Sequence, residues 1–331
     1  MKRRILTILL VAIMVVTTVA LGSCQQKNDV DVEGYKADVI RINDTGQFAS
    51  CIQRIINLKD FLTPYLPEDV SIEWTSITGG SAQRDAIVAG HLDITAMSLI
   101  QFLSATENEL PLSLISSAAA QSVFLYSNNE NIKRFEDIDE SARIAVTGRA
   151  TNMEMAFLIR CGEVFGDPMI YYNNIVTMPN TEMLASLATS DEIDCAIIVL
   201  PNNVKANEIE GLTMIEDLTP VIIENSLASA FVTDNDFVRD NPVLLDAFRK
   251  ATEDAVNFIN ENPEEAAKLL AEDYGIDEIH LVNAFKNYPI KLEIKENGYN
   301  NTAALLYQME ILTESPAEFS DLPNYDEIPK E

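Results

Sequence analysis

The stretch Ser76–Ser98, SITGGSAQRDAIVAGHLDITAMS, constrains this chain more than any other. A small-residue loop, Thr78–Ser81, opens a short helix near Ala82–Ala89, Gly90 closes it, and an alternating strand, Leu92–Met97, follows. The same order returns about a hundred residues later as Met178–Leu200, MPNTEMLASLATSDEIDCAIIVL. With Leu92-Asp93 laid on Ile193-Asp194, Ala86 falls on Leu187 and the Thr78-Gly79-Gly80 loop falls on Pro179-Asn180. Two similar βαβ ends in one chain predict two similar lobes with a cleft between them.

Around this repeat the pattern is strand, loop, helix. Val39–Asn43 alternates as a strand and enters Asp44-Thr45-Gly46, with Asp44 and Gln47 at capping-box spacing. Phe48, Ile52, Ile55, Ile56 and Leu62 recur at helical spacing, and Val70–Ile77 alternates again. Leu112–Ala119 and Ser122–Tyr126 read as strands of lobe one, and the polar Lys133–Glu140 as the linker out of it. Arg143–Thr147 is the next strand, Gly148-Arg149-Ala150 the next loop, and Thr151 with Glu154 opens a helix. Strands follow at Asn174–Met178 and Ile193–Leu200, separated by a helix over Thr181–Thr189, and Pro201-Asn202-Asn203 ends this lobe. Val221–Ile223 and Ala228–Val232 read as strands returning to lobe one. Helices then start at Asn241-Pro242, Asn262-Pro263, Ile276 and Asn301.

The N-terminal end carries Lys2-Arg3-Arg4, the apolar run Ile5–Leu21 and then Leu21-Gly22-Ser23-Cys24, the order of a secretory signal. A short membrane anchor competes, because the run approaches the ~20 residues that span a bilayer. Leu-Gly-Ser-Cys decides between them: it resembles the bacterial lipobox, whose cysteine is lipidated and becomes the first mature residue. Gln25–Glu33 then reads as a tether. Removal of residues 1–23 leaves 20 Lys+Arg against 52 Asp+Glu, a formal charge of −32. So negative a surface argues against nucleic acid and against a peripheral hold on anionic lipid. With Cys24 assigned to lipid, Cys51, Cys161 and Cys195 read as buried free thiols. Two histidines and no CxxC leave a metal site almost no ligands.

Three stretches resemble a known family: Ala86–Ile94, its partner Leu187–Ile198, and Asp240-Asn241-Pro242 followed by Ala255–Ala267, a long helix that closes on Asn-Pro-Glu-Glu-Ala. The family is that of the extracytoplasmic substrate-binding proteins of ABC importers, of the nitrate/sulfonate/taurine and thiamine-pyrimidine branch. The likeness spans roughly Val39 to Ile276, and the lipobox is its expected companion. It implies an α/β, two-lobed, type II periplasmic-binding fold. Each lobe would be a mainly parallel sheet flanked by helices, with two crossings between lobes. Residues 1–23 are then a lipoprotein signal, 24–36 a tether, 37–125 with 212–314 lobe one, 126–211 lobe two, and 315–331 an acidic, extended tail. The implied partners are a small-molecule ligand, a permease with its ATPase, and lipid on Cys24. The expected protein is a monomer with no cofactor and no catalytic residue.

Loops at strand ends beside helix starts can hold a polar or anionic group on free N–H groups and small hydroxyls. The candidate ligand-binding residues are therefore Thr45, Gly46, Gln47, Thr78, Gly79, Gly80, Ser81 and Ser98 from one lobe. The other lobe offers Gly148, Arg149, Thr151, Asn152, Pro201 and Asn202. Tight strand-to-helix turns alone would explain any single loop, while the set converging on one cleft argues for a site. The expected ligand is a small organic or inorganic anion of the sulfonate, nitrate or taurine kind, with a thiamine-pyrimidine precursor or other heterocycle as the alternative; an anion would want Arg149, which sits at a turn, or Arg84. A flat heterocycle would want an aromatic face such as Trp74, and Asp44 suits an amino group or a helix cap. The alternatives are a pyrimidine-synthesising enzyme on the same fold, disfavoured because no cysteine cluster exists here, and a lipoprotein sensor or adhesion module.

Overall fold

The computed structural model describes residues 34–330 apart from 47, 119–121, 150, 191, 201 and 226. The signal segment, Cys24 and most of the tether lie outside the described residues, as do Gln47, Ala150 and Pro201. Ten strands and twelve α-helices alternate along the rest.

The first sheet begins with β1 (Val39–Asn43) parallel to β2 (Ser71–Thr75). A parallel bridge between Ile42 and Ile94 joins this pair to β3 (Thr95–Ser98). Beyond β3 come β10 (Ser229–Asp234), antiparallel to it, and then β4 (Leu112–Ser117), so the order reads β2-β1-β3-β10-β4. The second sheet is β7-β6-β8-β5-β9, built from β5 (Val123–Ser127), β6 (Ile144–Val146), β7 (Ile175–Thr177), β8 (Cys195–Val199) and β9 (Thr213–Asp217). The two orders are the same pattern: three parallel strands, one antiparallel strand, and an edge strand. In each sheet the antiparallel strand is the first one the chain forms after leaving the other sheet.

Several expectations are corrected by this topology. Val123–Ser127 and Thr213–Asp217 belong to the second sheet, not with residues 37–125 and 212–314. The chain therefore leaves the first sheet between Ser117 and Val123, ahead of the polar Lys133–Glu140 segment. Alternation marks these segments as strands but does not choose their partners, because an antiparallel neighbour can come from either direction in sequence.

Helices alternate with these strands. They are α1 (Cys51–Lys59), α2 (Gly80–Val88), α3 (Leu99–Glu107), α4 (Asn152–Phe165), α5 (Asn180–Thr189) and α6 (Asn202–Glu208). Next come α7 (Thr219–Asn225), α8 (Asn235–Asp240), α9 (Pro242–Glu261), α10 (Pro263–Tyr274), α11 (Glu278–Asn287) and α12 (Glu296–Gln308). Val221–Ile223, read as a strand, lies inside α7: Thr219 donates its N–H to the Asp217 carboxylate at 2.9 Å, and Pro220 stands in the first turn, where a missing N–H costs nothing. Asn202, read as a strand stop, starts α6. The helix expected from Asn301 begins five residues earlier, at Glu296.

One hydrophobic cluster packs α1, α9 and α10 onto the first sheet through Ile40, Ile42, Ile55, Phe231, Phe248 and Leu270. A second joins the sheets, running from Met97 and Phe102 through Val123 and Phe157 to Tyr299 and Phe319. Phe319, Leu322 and Ile328 are buried, so residues 315–330 are not an extended tail. They touch the edge strand β4 at Asn324, whose side-chain amide donates to the Leu114 carbonyl at 3.0 Å. Acidic and Pro-rich composition concealed three apolar anchors, too few to establish a periodic pattern.

Candidate functional site

The repeat seen in the sequence is present atom by atom. Asp93, after α2, accepts the Arg41 N–H on its carboxylate at 2.6 Å, while the N–H groups of Asp93 and Ile94 both donate to the Arg41 carbonyl at 3.0 Å. Asp194, after α5, accepts the Arg143 N–H at 2.8 Å, and Asp194 and Cys195 donate to the Arg143 carbonyl at 2.9 and 3.2 Å. Each aspartate ties the helix-to-strand turn to the strand one position away in the sheet.

In the first sheet the buried Asn43, at the end of β1, is bonded to the loop after β2 and to the first residue of β3. Its amide nitrogen donates to the Ile77 carbonyl and to Thr95 Oγ1, both at 3.1 Å, and its oxygen accepts the Ile77 N–H at 2.8 Å. Gln83 donates from its side chain to the same Ile77 carbonyl at 2.9 Å. The Thr78-Gly79-Gly80 loop is thus held at its root, while Thr78, Gly79 and Ser81 are exposed. Gly79 stands at φ +88°, a conformation L side chains rarely adopt. Sequence reasoning missed Asn43 as an organiser, although an amide side chain closing an alternating strand was its signal.

Thr45 is turned onto Ser50, its hydroxyl 2.6 Å from the serine oxygen, and Gly46, at φ +68°, donates its N–H to the Asp44 carboxylate at 2.9 Å. Burial pushes the Asp44 carboxyl above its ordinary value, opposed by that N–H and by the Arg54 guanidinium 3.6 Å away. Asp44 therefore holds the turn and faces a cation already tied to Asp273 at 2.5 Å. Ser98 caps α3, accepting the Gln101 N–H at 3.3 Å. Trp74 packs on the first-sheet cluster, beside Ile72 and Ile42.

At the second sheet Thr151 caps α4, accepting the Glu154 N–H at 3.4 Å and donating to the Gly148 carbonyl at 3.0 Å, as its spacing to Glu154 predicted. Asn152 begins that helix and Asn202 begins α6, both half-buried. Arg149 is engaged from three sides. Its Nε lies 2.8 Å from the carboxylate of Glu154, a fully buried residue, one Nη donates to the Tyr172 carbonyl at 3.1 Å, and the guanidinium stacks 4.0 Å above the Tyr172 ring. Arg84 pairs with Asp85 at 2.8 Å. The first set of loops is joined by direct contacts around Asn43 and the second by Met178, whose N–H donates to the Val146 carbonyl at 3.1 Å. Among the described residues no three His, Cys, Asp or Glu side chains cluster as metal ligands, and no helix is long and apolar enough to cross a membrane.

The fold built from these sheets matches solved structures over most of its length. It is similar to the periplasmic aliphatic sulphonate binding protein SsuA of Escherichia coli, at TM-score 0.71 and 14% identity, covering 87% of this chain and 93% of that one. The alkanesulfonate-binding protein SsuA of Xanthomonas axonopodis pv. citri, bound to MOPS, matches at TM-score 0.66 and 14% identity, covering 89% and 99%. An ABC transporter structure from Parabacteroides distasonis matches at TM-score 0.64 and 12% identity, covering 89% and 100%. At such identities the likeness is one of fold, that of the periplasmic binding proteins, and none of the three is described as an enzyme. No curated protein matches the sequence. The family model described as NMT1/THI5 like matches residues 65–266, which hold both helix-to-strand turns and most of both sheets, and the chain therefore belongs to the NMT1/THI5-like family.

Proposed function

We propose that this chain is the extracytoplasmic solute-binding component of an ABC importer, held at the membrane by lipid on Cys24. The two sheets with their helices act as lobes that close over a small solute and present it to a permease and its ATPase. One lobe contributes Thr45, Gly46, Gln47, Thr78, Gly79, Gly80, Ser81 and Ser98, and the other Gly148, Thr151, Asn152, Pro201 and Asn202. Arg149 enters through its backbone, since Glu154 and Tyr172 engage its guanidinium. The observation that carries the reading is the strand order shared by the two sheets, with the Arg41–Asp93 and Arg143–Asp194 arrangement repeated at the corresponding helix-to-strand turn of each, which supports two matching lobes. Ligands bind outside the carboxyl ends of strands in such sheets, and binding proteins for sulfonates share the fold.

A thermal-shift screen over sulfonates, nitrate, carboxylates, aminopyrimidines and amino acids tests it. A solute at 100 times its dissociation constant adds about 2.7 kcal/mol to stability, a rise of several degrees. Silence across the panel would remove the binding reading. Cys24→Ser is expected to move the protein from the membrane fraction to the soluble one, and unchanged fractionation would remove the lipid anchor.

A further inference from the structure

We propose that Gln101 is the specificity-determining residue of the candidate site and that the solute carries no net negative charge, being recognised through an adjacent hydrogen-bond donor and acceptor. This rests on the binding reading above and narrows its ligand class.

Gln101 stands in the first turn of α3, half-buried, three residues past the end of β3. Its side chain lies against Gly80, the first residue of α2: a Cβ on Gly80 would fall 1.8 Å from Gln101 Nε2 and 2.0 Å from both Cδ and Oε1. Glycine at position 80 is what lets that amide occupy the space beside the Thr78-Gly79-Gly80 loop. The backbone N–H of Gln101 is used by Ser98, while its side-chain amide bonds to no group among the described residues. An amide seated in this way offers one donor edge and one acceptor next to each other.

The charge inventory points the same way. Every one of the nine arginines among the described residues lies within 4.0 Å of a carboxylate, including Arg54, Arg84, Arg143 and Arg149, which flank the candidate loops in sequence. No lysine occurs in Asp44–Phe48, Ile77–Ser81, Ser98–Gln101 or Thr147–Thr151, and none of the residues at 47, 119–121, 150, 191, 201 and 226 is basic. Helix starts supply about half a charge each, so an anion here would rest on backbone N–H groups and hydroxyls alone, with no full cationic partner beside it. The surrounding excess of acidic residues further opposes an approaching anion. A neutral amide discriminates instead by hydrogen bonding, since an analogue that cannot pair leaves the amide unsatisfied.

The test is thermal unfolding of the purified protein with nicotinamide, uracil and cytosine, set against ethanesulfonate, nitrate and acetate, followed by calorimetric titration of whichever compound binds. An uncharged compound is expected to raise the melting temperature, and Gln101→Leu to weaken it at least tenfold. Gly80→Ala is expected to weaken it by a similar factor by pushing the amide off its seat, and the double variant to be no worse than either single one. Circular dichroism and the unliganded melting temperature establish that each variant is folded. Binding of ethanesulfonate, nitrate or acetate that persists in Gln101→Leu overturns this inference while leaving the binding reading intact. Tight binding of an uncharged compound that Gln101→Leu leaves unchanged overturns the role of Gln101, and silence of the whole panel overturns both readings.

Discussion

The carboxylate of Asp93 and the backbone of Arg41 grip each other in both directions, the carboxylate accepting the Arg41 N–H at 2.6 Å while Asp93 returns its own N–H to the Arg41 carbonyl at 3.0 Å. The Arg41 guanidinium adds a longer contact of 3.6 Å to the same carboxylate. Asp194 repeats the arrangement on Arg143, 101 positions after Asp93, with a side chain that is 36% exposed against 12% for Asp93.

Asp93→Ala is expected to destabilise the protein by about 1–3 kcal/mol, the cost of leaving a part-buried N–H unpaired, and Asp194→Ala by less, because its side chain is more exposed. Asp93→Asn keeps an acceptor and is milder. Burial raises the Asp93 carboxyl above its ordinary value, so the protonated form is favoured on folding. Its contribution to stability is then fullest below the ordinary value and is lost as pH rises through the raised one. The stability gap between wild type and Asp93→Asn should narrow from pH 4 to pH 7, as followed by urea unfolding at each pH.

Arg149→Ala strips the buried Glu154 of its cation. Its expected cost is about 3 kcal/mol, at the low end for a broken buried pair because 37% of the arginine side chain is exposed. Adding Glu154→Gln to that variant should recover most of the loss. Arg149→Lys should fall between, because the lysine keeps the charge but loses the fork and the stacking on Tyr172. Melting temperatures of the four proteins check this, and a double variant no more stable than Arg149→Ala would remove the pairing as the cause.

Burial pushes the thiols of Cys51 and Cys195 up to about 12 and raises that of Cys161 further. The thiolate is the reactive form. In the chain without residues 1–24, a thiol reagent at pH 8 should therefore label none of the three in the native state and all three in denaturant. Rapid labelling of the folded protein would contradict their placement.

Phe319 is fully buried against Tyr299 and Tyr325, at ring distances of 5.4 and 5.5 Å. Phe319→Ala is expected to cost about 3–5 kcal/mol, which urea titration would resolve and which a loosely attached tail would not show. Glu107 fastens the start of this segment, accepting the N–H groups of Thr313 and Glu314 and the Thr313 hydroxyl, which hold its carboxyl below the ordinary range. That fastening is present above the ordinary value and lost as pH falls through the lowered one. Glu107→Gln at pH 7 should accordingly raise hydrogen exchange at Thr313 and Glu314, as acid does in the wild type.

Much of this architecture was legible because local patterns report local geometry. The helix-closing Gly90, the Thr151 cap with Glu154 three residues on, and the helix start at Asn241-Pro242 all stand where spacing placed them. So does the match of Leu92-Asp93 to Ile193-Asp194, which became a shared set of hydrogen bonds. The helix Leu99–Glu107, nearly all apolar on the side facing the core, passed unassigned, and the residue that lies against Gly80 went with it.

The sequence alone determined the alternation of strands and helices, the internal repeat and the loops that end each strand, since each depends on residues within a turn or two of one another. The tertiary structure alone decided which sheet receives Val123–Ser127, that Phe319 is buried, that Glu154 claims Arg149, and that Gln101 rests on Gly80. Those outcomes depend on groups brought together from distant parts of the chain. A side chain's charge or hydrogen-bonding capacity is written in its identity, but whether it is already committed depends on what the fold sets within 3 or 4 Å of it.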